Sequence, residues 1–423
     1  MRKCLCLFTA LCLMLGAAGC GSLFGSEYYY SEPYREEASI GDGTETEVRN
    51  YSTLKNAVLE LIYAGESSGQ FRFGSYTGSL IDDLAAVCHE IKTSTPIGAY
   101  AVEDISYDTS RIVSYYTADI SIEYKKTADE IASVVSVSGL GELGSHILSV
   151  MEDCSASTVV KIYSSAAGEE YICSFVSENY YSDPFLVAME PSVSVEAYPD
   201  SGPERIYVID FRYGASPQRL KEMSGELYTR VSELAASLGD GEDINLALRC
   251  ATHLSEMCEN STSTPAWPET AYGCIVEGSS QPLGLALGYK ALCDRLGINC
   301  IVVRGEVNDG EVTPHAWNII ELEDGYYHVD ISRMPEGTMG AFLLSDKDIW
   351  GDYVWDRAVY PACEGSLNPE DIFGPADELE HTVTAPPESQ PPEESRQPAE
   401  GDGEDPPSQP ETGEAPDAET PVG

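Results

Sequence analysis

Residues 271–300 read AYGCIVEGSSQPLGLALGYKALCDRLGINC, and residues 315–330 read HAWNIIELEDGYYHVD. Pro282 heads an apolar run that ends at Leu296-Gly297-Ile298. Proline at a first helical position is preorganised for the helix and gives up no useful hydrogen bond, so the spacing predicts a helix starting there. The second block carries His315 and Asp330, a base and a carboxylate able to orient it. Those are two of the three residues that a thiol-dependent site needs. The third is a cysteine at a helix start, where the dipole favours the thiolate. The residue at this helix start is Pro282.

The blocks TAYGCIVEG, GLALGYKALCDRLGINCIVVRGE, HAWN and HVD fall in one order over about residues 242–372, and together they resemble the transglutaminase-like superfamily, whose members have a papain-like core. The resemblance implies that His315 is the base and Asp330 the orienting residue, with Trp317 and Asn318 matching the family's flanking positions. It also implies that Gly284, Trp317 and Asn318 line the old substrate cleft. In this register the nucleophile's position falls on Pro282, and the adjacent Gln281 and Leu283 supply no thiol either. Proline removes the attacking sulfur and, having no N–H, also removes a donor that papain-like sites commonly aim at the oxyanion. A second departure follows Asp330, where relatives often carry Thr-Trp and this chain has Ile331-Ser332-Arg333-Met334.

The expectation is therefore a catalytically inactive transglutaminase-like domain that binds a peptide, a protein or a cell-wall ligand. Two other readings stay open: a cysteine protease or protein-glutamine acyltransferase with a non-standard thiol, and a structural spacer in a cell-surface assembly. For the first, Cys293 lies eleven residues beyond Pro282, roughly 16 Å along a helix at about 1.5 Å per residue. Cys274 lies eight residues before it. Both are more simply core residues.

Upstream lies an internal repeat. Residues 71–124 contain FRFGSY, the helical run LIDDLAAVCHEI, Pro96 and ISYDTSRIVSYYTADISIEY. Residues 159–213 contain VVKIY, EYICSFVSENYY, Pro184 and VSVEAYPDSGPERIYVIDFRY, so the period is about 88 residues. Each unit predicts strand, helix, strand, tight turn, strand, with Ile120, Ile122 and Tyr124 alternating against Asp119, Ser121 and Glu123 at the period of a half-buried strand. The fold class expected is α+β: two tandem α+β repeats (about 68–140 and 156–240, within a module 46–240), then a transglutaminase-like domain over 241–372.

The ends differ in texture. Arg2 and Lys3 precede an apolar run, Leu5 to Leu15, that is too short for a stable span, and Ala17-Ala18-Gly19-Cys20 follows. This resembles a bacterial lipoprotein signal (residues 1–19), implying lipidation of Cys20 and anchoring on the extracytoplasmic face of a bacterial membrane. An ordinary signal peptide with an incidental cysteine is the alternative. Residues 20–45 read as a flexible tether, and 373–423, rich in Pro and Glu, as a disordered acidic tail.

The 423 residues carry a formal charge of −47, which argues against nucleic acid and against electrostatic docking to anionic lipid. Nine cysteines remain after Cys20, irregularly spaced and several within apolar helical patterns. They read as buried small hydrophobes more readily than as a disulfide framework. With no CxxC and six scattered histidines, no metal site and no cofactor is expected.

Overall fold

The computed structural model describes residues 39–40, 45–259, 264–334, 340–369 and 372. The expected signal segment, Cys20, most of the tether and all of 373–423 lie outside the described residues. Among the described residues no helix is long and apolar enough to cross a membrane.

The chain opens with β1 (Ser39–Ile40), β2 (Glu45–Glu47), α1 (Tyr51–Ala64), β3 (Ser68–Phe73), α2 (Leu80–Ser94), α3 (Pro96–Ala101), β4 (Val102–Ile112) and β5 (Tyr115–Tyr124). The sheet order is β1-β2-β3-β5-β4, with β2 and β3 parallel and the other pairs antiparallel. After α4 (Ala128–Ala132) come β6 (Val135–Val137), α5 (Leu140–Glu152), β7 (Ser157–Tyr163), α6 (Glu169–Ser182), β8 (Ser192–Tyr198), β9 (Glu204–Arg212) and α7 (Pro217–Leu238). The second sheet, β6-β7-β9-β8, has the connectivity of β2-β3-β5-β4, again with its first pair parallel.

Each sheet includes, upstream of the repeat starts at 68 and 156, a three-residue strand followed by a helix. Three residues are too few to show an alternation, so these strands are silent in the sequence. In β5 the predicted alternation holds: Ile120 and Ile122 are buried while Asp119, Ser121 and Glu123 are exposed. Local signals set the helix ends. Asn50 and Thr53 form a reciprocal cap at the start of α1, and Gly65 closes it with φ +69°.

The C-terminal region contains α8 (Asp243–Glu259), α9 (Ala271–Ile275), α10 (Pro282–Leu296), β10 (Cys300–Asn308), β11 (Val312–Leu322), β12 (Gly325–Val329), a 3₁₀ turn (Ile331–Arg333), β13 (Phe342–Leu344) and β14 (Tyr353–Val354). Its sheet, β13-β12-β11-β10-β14, is antiparallel throughout. Every residue of α10 from Gly284 to Cys293 is buried, as a helix covered on all sides requires. The one lysine in that stretch, Lys290, bonds both carboxylate oxygens of Asp294 at 2.7 Å. One hydrophobic core runs unbroken from Val137 to Leu343 and so crosses the junction at 240/241. The helix and the sheet are also tied by a polar bond: Asn318 on β11 donates to the Ala286 carbonyl of α10 at 2.9 Å.

Candidate active site

β11 and β12 are neighbours paired through Asn318↔Val329, so the end of β12 returns the chain beside the start of β11. That register brings His315 and Asp330 together across fifteen residues. His315 Nε2 lies 2.7 Å from Asp330 Oδ2. Asp330 is 2% exposed, yet each of its oxygens is occupied. Oδ2 also accepts from the Tyr353 hydroxyl at 2.7 Å, and Oδ1 accepts from the Ser332 hydroxyl at 2.6 Å and the Ser332 N–H at 3.1 Å. A buried carboxylate is tolerable only with such a set of donors. Burial and the Asp330 charge in turn push the Tyr353 phenol well above its ordinary range, so it stays a donor.

With Asp330 acceptor-only, the His315 nitrogen facing it carries the proton, and Nδ1 is left as the basic nitrogen of the neutral ring. Trp317, two residues along the strand, stacks on this ring with centroids 6.1 Å apart and planes 27° off parallel. The arrangement orients a base and fixes its tautomer, which is what the second and third members of a thiol triad do.

A cavity of about 730 Å³ opens beside His315, with Pro282, Leu285, Ser280, Cys258 and Arg333 among its walls. Pro282 is the first residue of α10, as its position in the sequence predicts, and Gln281 holds the N-cap position without a side-chain bond to the helix. The helix start and the dyad therefore face one cleft. Pro282, a residue with neither sulfur nor backbone N–H, stands at that helix start on the wall that His315 also lines.

The three residues expected to line the cleft do not form its wall. Trp317 and Asn318 are each 1% exposed and sit in the core behind it, because β11 is covered on both faces. Gly284 is buried in α10 against the preceding loop. A Cβ there would lie 2.0 Å from Ser280 Oγ and 2.5 Å from the Pro268 carbonyl oxygen, so glycine permits the close approach that seats the helix start. These residues position the site and do not contact its contents.

Cys274 and Cys293 are each fully buried. The hydrogen bond it donates to Cys258, together with burial, pushes the Cys274 thiol well up, and burial together with Cys300 does the same to Cys293. Neither offers a thiolate to the cleft. Among the described residues the one cysteine on the cleft wall is Cys258, which the sequence reading did not single out. It lies near the end of α8, outside the matched blocks, and no local pattern pointed to it.

A second histidine cluster lies behind the dyad. His328 Nε2 is 3.0 Å from Asp346 Oδ1, with Cys363 close by, and the three offer ligand atoms within 4.8 Å of one another. The donors do not fit a metal. The Trp317 indole N–H, which can only donate, points at His328 Nδ1 at 3.0 Å, so Nδ1 accepts and Nε2 carries the proton. A metal on Nε2 would displace that proton and leave an anionic ring. Burial also pushes the Cys363 thiol up to about 12, away from the thiolate a metal would want. The cluster is a chain of hydrogen bonds, ending on the Asp346 carboxylate, that fixes Trp317 under His315.

No protein-family profile and no curated protein matches this chain. Among solved structures it is similar to a TGase, at 8% identity with a TM-score of 0.23 over 52% of this chain and 62% of that one. It is also similar to a candidate cysteine protease from Cytophaga hutchinsonii, at 14% identity with a TM-score of 0.22 over 34% of this chain and 62% of the other. In both cases the chain spans less than two thirds of the protein it matches.

Proposed function

We propose that residues 241–372 form a transglutaminase-like, papain-like domain whose cleft binds a peptide, protein or cell-wall ligand without covalent turnover. The observation that carries this is a base oriented and fixed in tautomer by Asp330, facing a helix start occupied by Pro282. His315 Nδ1 then acts as a hydrogen-bond acceptor for a ligand N–H, while Ser332 and the cationic Arg333 border the same cavity. The sequence resemblance, and not the distant structural likenesses, supports the family. On the same reading the protein is a lipoprotein held at Cys20 on the extracytoplasmic face of a membrane, which the sequence around Ala17–Cys20 supports.

The test is turnover. Purified protein is incubated with glutamine-bearing and peptide substrates plus an amine acceptor, and ammonia release, amine incorporation and cleavage are followed with and without iodoacetamide. The reading expects no product above buffer in either arm. Saturable product formation lost on alkylation, or lost in His315→Ala, would overturn it.

A further inference from the structure

Seven of the nine described cysteines are buried; Cys173 and Cys258 are half-buried. Cys173 borders a different cavity, with Ser177, Glu190 and Arg304, and burial raises its thiol. Cys258 differs in two ways. It stands on the wall of the His315 cleft, and its side chain is hydrogen-bonded to that of Cys274, a fully buried residue that packs against α10. A Cβ on Gly288 of α10 would lie 2.6 Å from the Cys274 sulfur, so that atom is held in place by the helix backbone. Two thiols in contact, one open to a cavity and one enclosed, form the arrangement of an attacking and a resolving cysteine.

We propose that Cys258 is a thiol–disulfide exchange site in the cleft wall, that small disulfides are its reactants, and that Cys274 resolves the product. The Cys258 thiolate attacks one sulfur of R–S–S–R; a Cys258–S–S–R bond forms, the R–S–S–R bond breaks and RS⁻ leaves. The Cys274 sulfur then attacks Cys258; the second RS⁻ leaves and takes up the Cys274 proton, and a Cys258–Cys274 disulfide closes. Two protein thiols are oxidised and one small disulfide is reduced to two thiols. The hydrogen bond from Cys274 stabilises the Cys258 thiolate and holds its pKa below the ordinary value, which supports the order of attack. The site stands whatever the cleft binds, since it needs neither His315 nor the family reading.

The experiment treats full-length protein with glutathione disulfide near neutral pH, quenches with N-ethylmaleimide and maps every cysteine by mass spectrometry. The expected result is a peptide pair joined Cys258–Cys274, with Cys173 unmodified and serving as the internal control for exposure. Cys274→Ser should halt the sequence, leaving one glutathionyl group on Cys258, and Cys258→Ser should abolish both products. Cys258 should react at least about tenfold faster than Cys173. Equal rates at the two, or alkylation of Cys258 only after denaturation, would overturn the proposal. Should Cys274→Ser fail to fold, the wild-type map and Cys258→Ser decide it. Because the readout is a covalent map and not turnover, it is independent of whether the cleft proves catalytic.

Discussion

Replacing Pro282 by cysteine puts a thiol at the first position of a fifteen-residue helix, facing the cleft that His315 lines. An unperturbed thiol titrates near 8.5 and is about 3% thiolate at pH 7. A charge at a helix N-terminus gains up to about 2 kcal/mol in a partly buried site, which corresponds to about 1.5 pKa units. That alone brings the thiol to about 7, and an imidazolium at His315 lowers it further. The raw rate is a poor readout, because a fall of 1.5 units raises the thiolate fraction at pH 7 about sixteenfold but lowers its nucleophilicity roughly fivefold. The titration midpoint is the better one. Iodoacetamide alkylation of Pro282→Cys should follow a curve with its midpoint at about 7 or below, the reactivity being present above that pH and lost as pH falls through it. Adding His315→Ala should move the midpoint up by about one unit. The variant should lose no more than about 1 kcal/mol of stability from the freed backbone. A midpoint near 8.5 that ignores His315 would show that the helix start and the dyad do not share one site, and the reasoning from geometry would fail.

Two further outcomes follow from packing and from burial. Gly284→Ala should destabilise the chain by roughly 1–3 kcal/mol, because the new methyl meets the Pro268 and Thr270 carbonyl oxygens. Gly225→Ala, at an exposed α7 position with nothing within 4 Å, should stabilise it by about 1 kcal/mol. Urea midpoints measure both, and equal effects would refute the packing account. For His328, burial holds the imidazole below its ordinary value despite the pull of Asp346. The unfolded chain therefore binds a proton that the folded chain resists. This contribution is fully present above about pH 6.5 and is lost as pH falls through that value towards the lower folded pKa. The urea midpoint should drop between pH 7.5 and 5.5, above the range in which ordinary carboxylates titrate. A flat profile across that window would contradict a neutral, donor-bound His328.

Several features were legible in single residues. Pro282 announced a helix start, the Leu296-Gly297 pair its end, where Gly297 takes φ +83°, and the Ile120/Ile122 alternation a half-buried strand. These are local properties: a ring that fixes φ, a residue without a Cβ, a period of two. The pairing of His315 with Asp330 was implied by resemblance, since fifteen residues of separation say nothing about distance until β11 and β12 pair in one register. The cleft wall was misjudged for the same reason. Trp317 and Asn318 flank the histidine in sequence, but a strand covered on both faces takes them into the core, and they reach the site only by stacking and by the Asn318 bond to Ala286.

By itself the sequence determined that the residue at position 282 can supply neither a sulfur nor an N–H in any fold. It also marked the ends of α10 and the inward face of β5. Only the tertiary structure decided that Ser332 and Tyr353 complete the donors to Asp330, that Trp317 binds His328 behind the dyad, and that Cys258 meets Cys274 in the cleft wall. Apart from the local Ser332–Asp330 bonds, each of those contacts joins separate elements of the chain. Their distances are set by strand register and by how helices pack around α10, and neither is written in the periodicity of any one segment.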